Sequence, residues 1–281
     1  MSIHTTLVDT ATLAAHLTDP AVAVVDCRFE LARPDAGEAA YAAGHIPGAA
    51  YAHLDRDLSG PKTGSNGRHP LPAPAVLAAT FGRLGIGAST QVIAYDQDNG
   101  MYASRLWWLL RWMGHDAVAV LDGGLAAWIA DGHAVAAGIE AHTARAFSGT
   151  PNPAFIVDAE TVGALAASGA ARVIDARAPE RYRGEVEPLD PVAGHIPGAV
   201  NYNFVRNLEN GRFRPAGALR AEFEALVSGV AFDQVVSYCG SGVTGCHNLL
   251  ALEHAGLYGA RLYPGSWSEW VSDPSRPVEK G

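Results

Sequence analysis

Cysteine is scarce in this chain: only Cys27, Cys239 and Cys246 occur in 281 residues. Three scattered thiols cannot make a disulfide framework, and no Cys/His pairing has the spacing of a zinc site. Positive charge is also thin, with 20 Lys and Arg against 29 Asp and Glu, a formal charge of −9 and no basic block. That argues against nucleic acid or an anionic membrane as the main partner. No uninterrupted apolar run is long enough to span a bilayer. Met1 to Thr12 lacks the basic start and apolar core of a secretory signal. These absences lead us to expect a cytoplasmic protein of a reducing compartment. What is present is apolar content of 48% with only 17% charged residues, which supplies a packed interior for one large or two ordinary domains.

The chain is written twice. Val24-Val25-Asp26-Cys27-Arg28 is echoed by Val173-Ile174-Asp175-Ala176-Arg177, and Ala43-Gly44-His45-Ile46-Pro47-Gly48-Ala49 by Ala193-Gly194-His195-Ile196-Pro197-Gly198-Ala199. Val92-Ile93-Ala94-Tyr95-Asp96 then matches Val235-Val236-Ser237-Tyr238-Cys239. Leu121-Asp122-Gly123-Gly124, followed by Trp128, resembles Leu262-Tyr263-Pro264-Gly265, followed by Trp267 and Trp270. Four matches in one order, at a domain-sized period, mean a tandem duplication and not a solenoid.

In each half, short β-like runs alternate with helical stretches. Ala21–Asp26, Gln91–Tyr95 and Ala117–Leu121 read as buried strands, with helices over Ala75–Leu84 and Ser104–Met113. The second half repeats this near Arg172–Asp175, Gln234–Tyr238 and Ala260–Tyr263. The alternation predicts an α/β fold in which each half is a parallel sheet flanked by helices. Small, polar and proline residues over Ala137–Pro153 break the periodicity, so the expected domains are 1–137 and 154–281, joined by a linker at 138–153.

Cys239 stands out for its surroundings. It ends an apolar strand, opens the loop Cys239-Gly240-Ser241-Gly242-Val243-Thr244 and precedes a helix-like stretch from Gly245 to His254. Unpaired N–H groups and the helix dipole at such a place favour a thiolate, the nucleophilic form. A half-buried structural cysteine is the plain alternative. Asp96 holds the equivalent strand end in the first half and cannot do thiol chemistry, so we expect the first copy to be catalytically inactive. Cys246 reads as core filler, with a resolving thiol as the alternative. His247 and His254 read as surface residues of the following helix.

The paired Asp-x-Arg and Gly-His-Ile-Pro-Gly-Ala motifs, with the terminal Tyr263-Pro264-Gly265-Ser266-Trp267-Ser268-Glu269-Trp270, resemble the tandem rhodanese-type sulfurtransferases. The resemblance implies a double displacement in which a cysteine takes a sulfane sulfur as a persulfide and passes it on. Carried onto this chain, Cys239 is the sulfur carrier, and the amides of Gly240, Ser241, Gly242, Val243 and Thr244 stabilise the anions. The site is expected at the interface with the first copy. The uncharged loop is similar to that of the 3-mercaptopyruvate branch, whereas the thiosulfate branch places basic side chains there. In the mercaptopyruvate branch a serine here, Ser241, works with a histidine and an aspartate; His45 and Asp35 are the matches. A backbone bond at a turn is the structural alternative for His45, since His195 holds the same place in the other copy.

The resemblance also makes Arg181 a clamp for the donor anion. The second arginine of that branch follows Glu-Pro, where this chain has Leu189; Arg183 is the substitute, with a surface ion pair as its alternative. Acceptors implied are cyanide, a small thiol or a thioredoxin-like protein, and no cofactor or metal is called for because the sulfur travels on the protein. Thiosulfate:cyanide transfer by the same Cys239 persulfide is the alternative activity, and a persulfide relay to another protein's cysteine uses the same residue. A cysteine-dependent phosphatase would need an arginine six residues after the thiol, and position 245 is glycine. A non-catalytic binding module is opposed by the intact Cys239.

Overall fold

Buried runs of valine, isoleucine and alanine set the strands, and the structure, a computed structural model, describes residues 3–281. Met1 and Ser2, which open the segment inspected for a signal, lie outside the described residues. In the first half the strands are β1 (Leu7–Val8), β2 (Val22–Asp26), β3 (Ala49–Tyr51), β4 (Gln91–Tyr95) and β5 (Val118–Leu121). They form one sheet in the order β1-β5-β4-β2-β3, every pair parallel. Helices α1 (Thr10–His16), α2 (Ala36–Ala43), α3 (Pro74–Arg83), α4 (Ala103–Trp112) and α5 (Gly124–Ala130) connect them. Parallel strands need such crossovers, and with both faces covered their sequences run continuously apolar. On α4, Trp107, Trp108 and Trp112 are all buried, as core packing requires.

The second half repeats the plan with β6 (Arg172–Asp175), β7 (Val200–Asn201), two short strands β8 (Leu208–Glu209) and β9 (Arg212–Phe213), then β10 (Val235–Tyr238) and β11 (Arg261–Leu262). Its sheet order is β11-β10-β6-β7, again parallel. Its helices are α6 (Ala159–Ser168), α7 (Pro179–Tyr182), α8 (Ala216–Val227), α9 (Thr244–His254) and α10 (Ser266–Trp270). A parallel bridge from Ile156 to Leu262 stands where β1 stands in the first sheet. The expected strands and helices are present within a residue or two. The strands not expected, β1, β3, β7, β8 and β9, are two or three residues long and too short for a period to show.

By packing, the chain divides into two units: residues up to 60 with 72–152 and 210–213, and residues 61–71 with 153–209 and 214–281. Two stretches thus depart from a simple cut between 137 and 154. Pro61–Leu71 packs in the second unit and Asn210–Phe213 in the first.

The duplicated motifs prove to be one device built twice. In the first unit, the Arg28 guanidinium donates to both oxygens of Asp26 and to the Gly44 carbonyl at 2.7 Å. In the second, Arg177 donates to Asp175 and to the Gly194 carbonyl at 2.7 Å. Each pair ties a strand end to its Gly-His-Ile-Pro-Gly turn. Tyrosine hydroxyls complete the fixture: Ile46 N–H donates to Tyr95 and Ile196 N–H to Tyr238, both at 3.2 Å. Asp175 and Arg177 are both buried, so losing one partner strands a charge. Asp175→Ala is therefore expected to destabilise the second unit by about 3–5 kcal/mol, measured as a lower urea midpoint.

Candidate active site

At the carboxyl end of β10 the chain turns sharply, and the turn has two faces. On the outer face, the Cys239 carbonyl accepts from Trp267 N–H and the Gly240 carbonyl from Ser268 N–H, both at 2.9 Å. The Ser266 hydroxyl accepts from Cys239 N–H at 3.1 Å. With its carbonyls held by the first turn of α10, the loop directs its amides inward. Gly242 N–H reaches Cys239 Sγ at 3.2 Å and Ser241 N–H at 3.5 Å. The turn needs glycine at 242: its φ is +78°, and a Cβ there would lie 2.3 Å from the Pro264 carbonyl oxygen.

Cys239 is buried, and burial by itself raises a thiol pKa. Here hydrogen bonds from the Thr244 side chain and from the amides of Ser241, Gly245 and Gly242 outweigh it, and the thiol is held below its ordinary value. Cys27, at the corresponding end of β2, shows the converse. Burial, with the charges of Asp26, Asp96 and Asp57, pushes its thiol well up. Of these two buried thiols, the loop favours the thiolate at Cys239 and the surroundings disfavour it at Cys27.

The first unit has the same turn with a carboxylate in place of the sulfur. The carbonyls of Asp96 and Gln97 accept from Leu125 and Ala126, at 2.9 and 3.0 Å. The Asp96 side chain accepts from the amides of Gly100 at 2.9 Å, Tyr102 at 2.8 Å and Ala103 at 3.1 Å. Burial leaves this acid above its ordinary value in spite of the amides, which pull it down.

Around the second-unit loop the structure gathers residues the sequence did not single out. His69 Nδ1 lies 2.7 Å from Ser241 Oγ, and both groups are buried. The histidine beside Ser241 is thus His69, and not the His45 suggested by the resemblance. His45 is fully buried in the first unit, its ring stacked on Tyr41 at 4.2 Å and its Nδ1 2.9 Å from the Tyr41 carbonyl. His195 repeats this on Tyr182, at 3.7 and 2.8 Å. Both histidines hold their turns in the same way. Asp35 is exposed at the start of α2 and makes no side-chain cap.

Arg181 bonds Glu187 at 2.6 Å and Asp190 at 3.3 Å. Arg68 pairs with Asp190 from its other side, and its backbone N–H donates to Ser268 Oγ at 2.9 Å. A Cβ on Gly240 would lie 2.9 Å from Arg68 Nη2 and 3.5 Å from Arg181 Nη1. Arg183 instead pairs with Glu185 at the surface, and Leu189 is exposed. Val243 is buried and caps α9. Cys246 is buried with its thiol donating to the Gly242 carbonyl at 3.3 Å. His247, read as a surface residue, is buried because α9 is covered from Gly245 to Leu252; its Nδ1 accepts from Asn207 at 3.0 Å.

A signal for His69 was present. Asn66-Gly67-Arg68-His69 is echoed by Asn210-Gly211-Arg212-Phe213, a fifth match in the same order, with Phe213 where the first half has His69. These are the segments of Pro61–Leu71 and Asn210–Phe213 that pack outside their own half.

The Thr244 contact yields a test. Thr244→Val removes a donor to the sulfur, so the Cys239 pKa should rise. The pH midpoint for alkylation of Cys239 by iodoacetamide should move upward, and an unmoved midpoint would show that the hydroxyl does not serve the thiolate.

Comparison with known proteins agrees with this arrangement. The rhodanese-like domain model matches residues 9–131 and 158–273. A Pseudomonas aeruginosa protein named "Probable 3-mercaptopyruvate sulfurtransferase" is 50% identical over 272 residues, 96% of each chain. A Mycobacterium tuberculosis protein named "Putative thiosulfate sulfurtransferase SseB" is 42% identical over 268 residues, covering 94% of this chain and 92% of that one. The crystal structure of the Escherichia coli 3-mercaptopyruvate sulfurtransferase SseA superposes with a TM-score of 0.82 at 34% identity, over 94% of this chain and 99% of that one. The chain belongs to the rhodanese-like family, carries two copies of its domain, and is an enzyme of the sulfurtransferase class.

Proposed function

We propose that the protein moves sulfur from 3-mercaptopyruvate to a thiophilic acceptor through a persulfide on Cys239. The observation that carries this reading is the buried Cys239 sulfur under converging amides, with the Ser241–His69 pair beside it. In the first half-reaction the thiolate attacks the donor's sulfur. An S–S bond forms, the donor's C–S bond breaks, and its electron pair leaves as the enolate of pyruvate. The enolate takes a proton, and the Ser241 hydroxyl, in contact with the His69 ring, is the group placed to deliver it. In the second half-reaction cyanide, a small thiol or a thioredoxin-like protein attacks the outer sulfur, and the Cys239 thiolate is released with the loop amides again as its donors.

Several further assignments belong to the same reading. The loop from Gly240 to Thr244 stabilises the sulfur anions, and Arg181 faces the donor's carboxylate. The first copy, with Asp96 at the strand end, is catalytically inactive. Three cysteines without disulfides suit a reducing cytoplasm. Among the described residues, no helix is long and apolar enough to cross a membrane.

Thiosulfate is the second reading, favoured by the arginines beside Gly240, because a dianion gains from guanidinium groups. The two donors differ in their leaving groups: sulfite departs without needing a proton at carbon, whereas the enolate needs one. A side-by-side assay with cyanide as acceptor therefore separates them. Cys239→Ser is expected to abolish turnover with either donor; retained turnover would remove Cys239 as the sulfur carrier. His69→Asn is expected to lower kcat with mercaptopyruvate by about a hundredfold while sparing thiosulfate. Equal loss with both donors would assign His69 to holding the loop.

A further inference from the structure

Position 240 is glycine, and the space its side chain would take is filled by guanidinium groups from elsewhere in the second unit. Arg68 and Arg181 share one carboxylate, Asp190, whose side chain is only 4% exposed and is bonded to both. Arg181 spends its Nε and Nη2 on Glu187 and Asp190, and Arg68 spends Nη1 on Asp190. That leaves Arg68 Nη2 and Arg181 Nη1 without a protein partner among the described residues, and both lie beside Gly240, as does Arg181 Nη2. Arg68 Nε is also buried without a protein partner, a costly arrangement unless something else uses the group. The main chain at Arg68 is fixed by Ser268, whose own N–H holds the Gly240 carbonyl. The arginine and the loop therefore share one scaffold.

We propose that Arg68 is the second guanidinium of the donor site. With Arg181 it clamps the donor's carboxylate over Gly240, and Asp190 keeps the two forks in register. This rests on the reading of Cys239 as the carrier of sulfur from mercaptopyruvate. Arg68 supplies from a different segment the charge that Leu189, exposed and apolar, does not. It also explains the glycine at 240, where any side chain would enter the space the clamp occupies. The loop carries no basic residue of its own because its basic residues reach it from outside.

The test uses the intact protein and three readouts: donor KM, the inhibition constant of pyruvate, and acceptor KM with cyanide. Pyruvate carries the donor's carboxylate without its sulfur, so it reports binding apart from chemistry. In Arg68→Met, donor KM and the pyruvate constant should rise together by about ten- to hundredfold, the range for losing one charge-assisted partner, while acceptor KM stays unchanged. If that variant does not fold, Arg68→Lys keeps the charge but loses the fork, and a smaller rise of the same pattern is expected. A folded variant with unchanged donor KM and pyruvate constant would overturn the proposal. So would equal rises for donor and acceptor, which would mark Arg68 as a support of the loop. Mass spectrometry of the wild type after mercaptopyruvate treatment keeps the two failures apart. No added sulfur on Cys239 would sink the underlying reading, whereas normal loading with indifferent Arg68 variants would sink the clamp alone.

Discussion

Everything near the Cys239 sulfur hangs from one buried cation, Arg177. Its guanidinium binds Asp175 at the end of β6, the Gly194 carbonyl of the following turn and Glu187, and it lies 4.6 Å from the ring centre of Trp267. It thereby joins the sheet, the turn, the segment carrying Arg181 and the helix that holds the loop's carbonyls. From it runs a chain of alternating charge: Arg177, Glu187, Arg181, Asp190, Arg68. A buried charge is tolerated only when paired, so each member fixes the position of the next. Arg28 holds the same strand end and turn in the first unit.

The loop shows how a fold holds a buried thiol below its ordinary pKa. Burial works against the thiolate, and donors arranged by the turn work for it; at Cys239 the donors win. The donors can face inward because α10 has already claimed the carbonyls. At Cys27 burial and nearby carboxylates act in the same direction, and the thiol is pushed well up. Being at a strand end is not enough. What matters is where the following residues send their N–H groups.

Much of this was legible in the sequence. Strand patterns were long enough to read in β2, β4, β5, β6 and β10, and the repeated motifs named the turns correctly. Cys239 announced itself through the glycines after it and the helix beyond. His69 and Arg68 did not, because they lie 172 and 171 residues from Ser241 and Cys239 in a stretch rich in glycine, proline and serine. No local period or helix face marks such a segment. His45 drew attention because it sat in a conspicuous repeat, yet a residue that recurs in both copies is one that the shared fold needs, and its ring does the same thing in each. The difference between the copies carried the functional information: His69 against Phe213, and Cys239 against Asp96.

Wherever a turn aims several N–H groups at one point, an acceptor has to stand there, or the turn opens. In the second unit that acceptor is the Cys239 sulfur, and in the first it is the Asp96 carboxyl group. A duplicated domain can therefore exchange the residue at this point without giving up its shape, provided the replacement can accept from the same N–H groups. An apolar residue at position 96 would leave the amides of Gly100, Tyr102 and Ala103 without that acceptor.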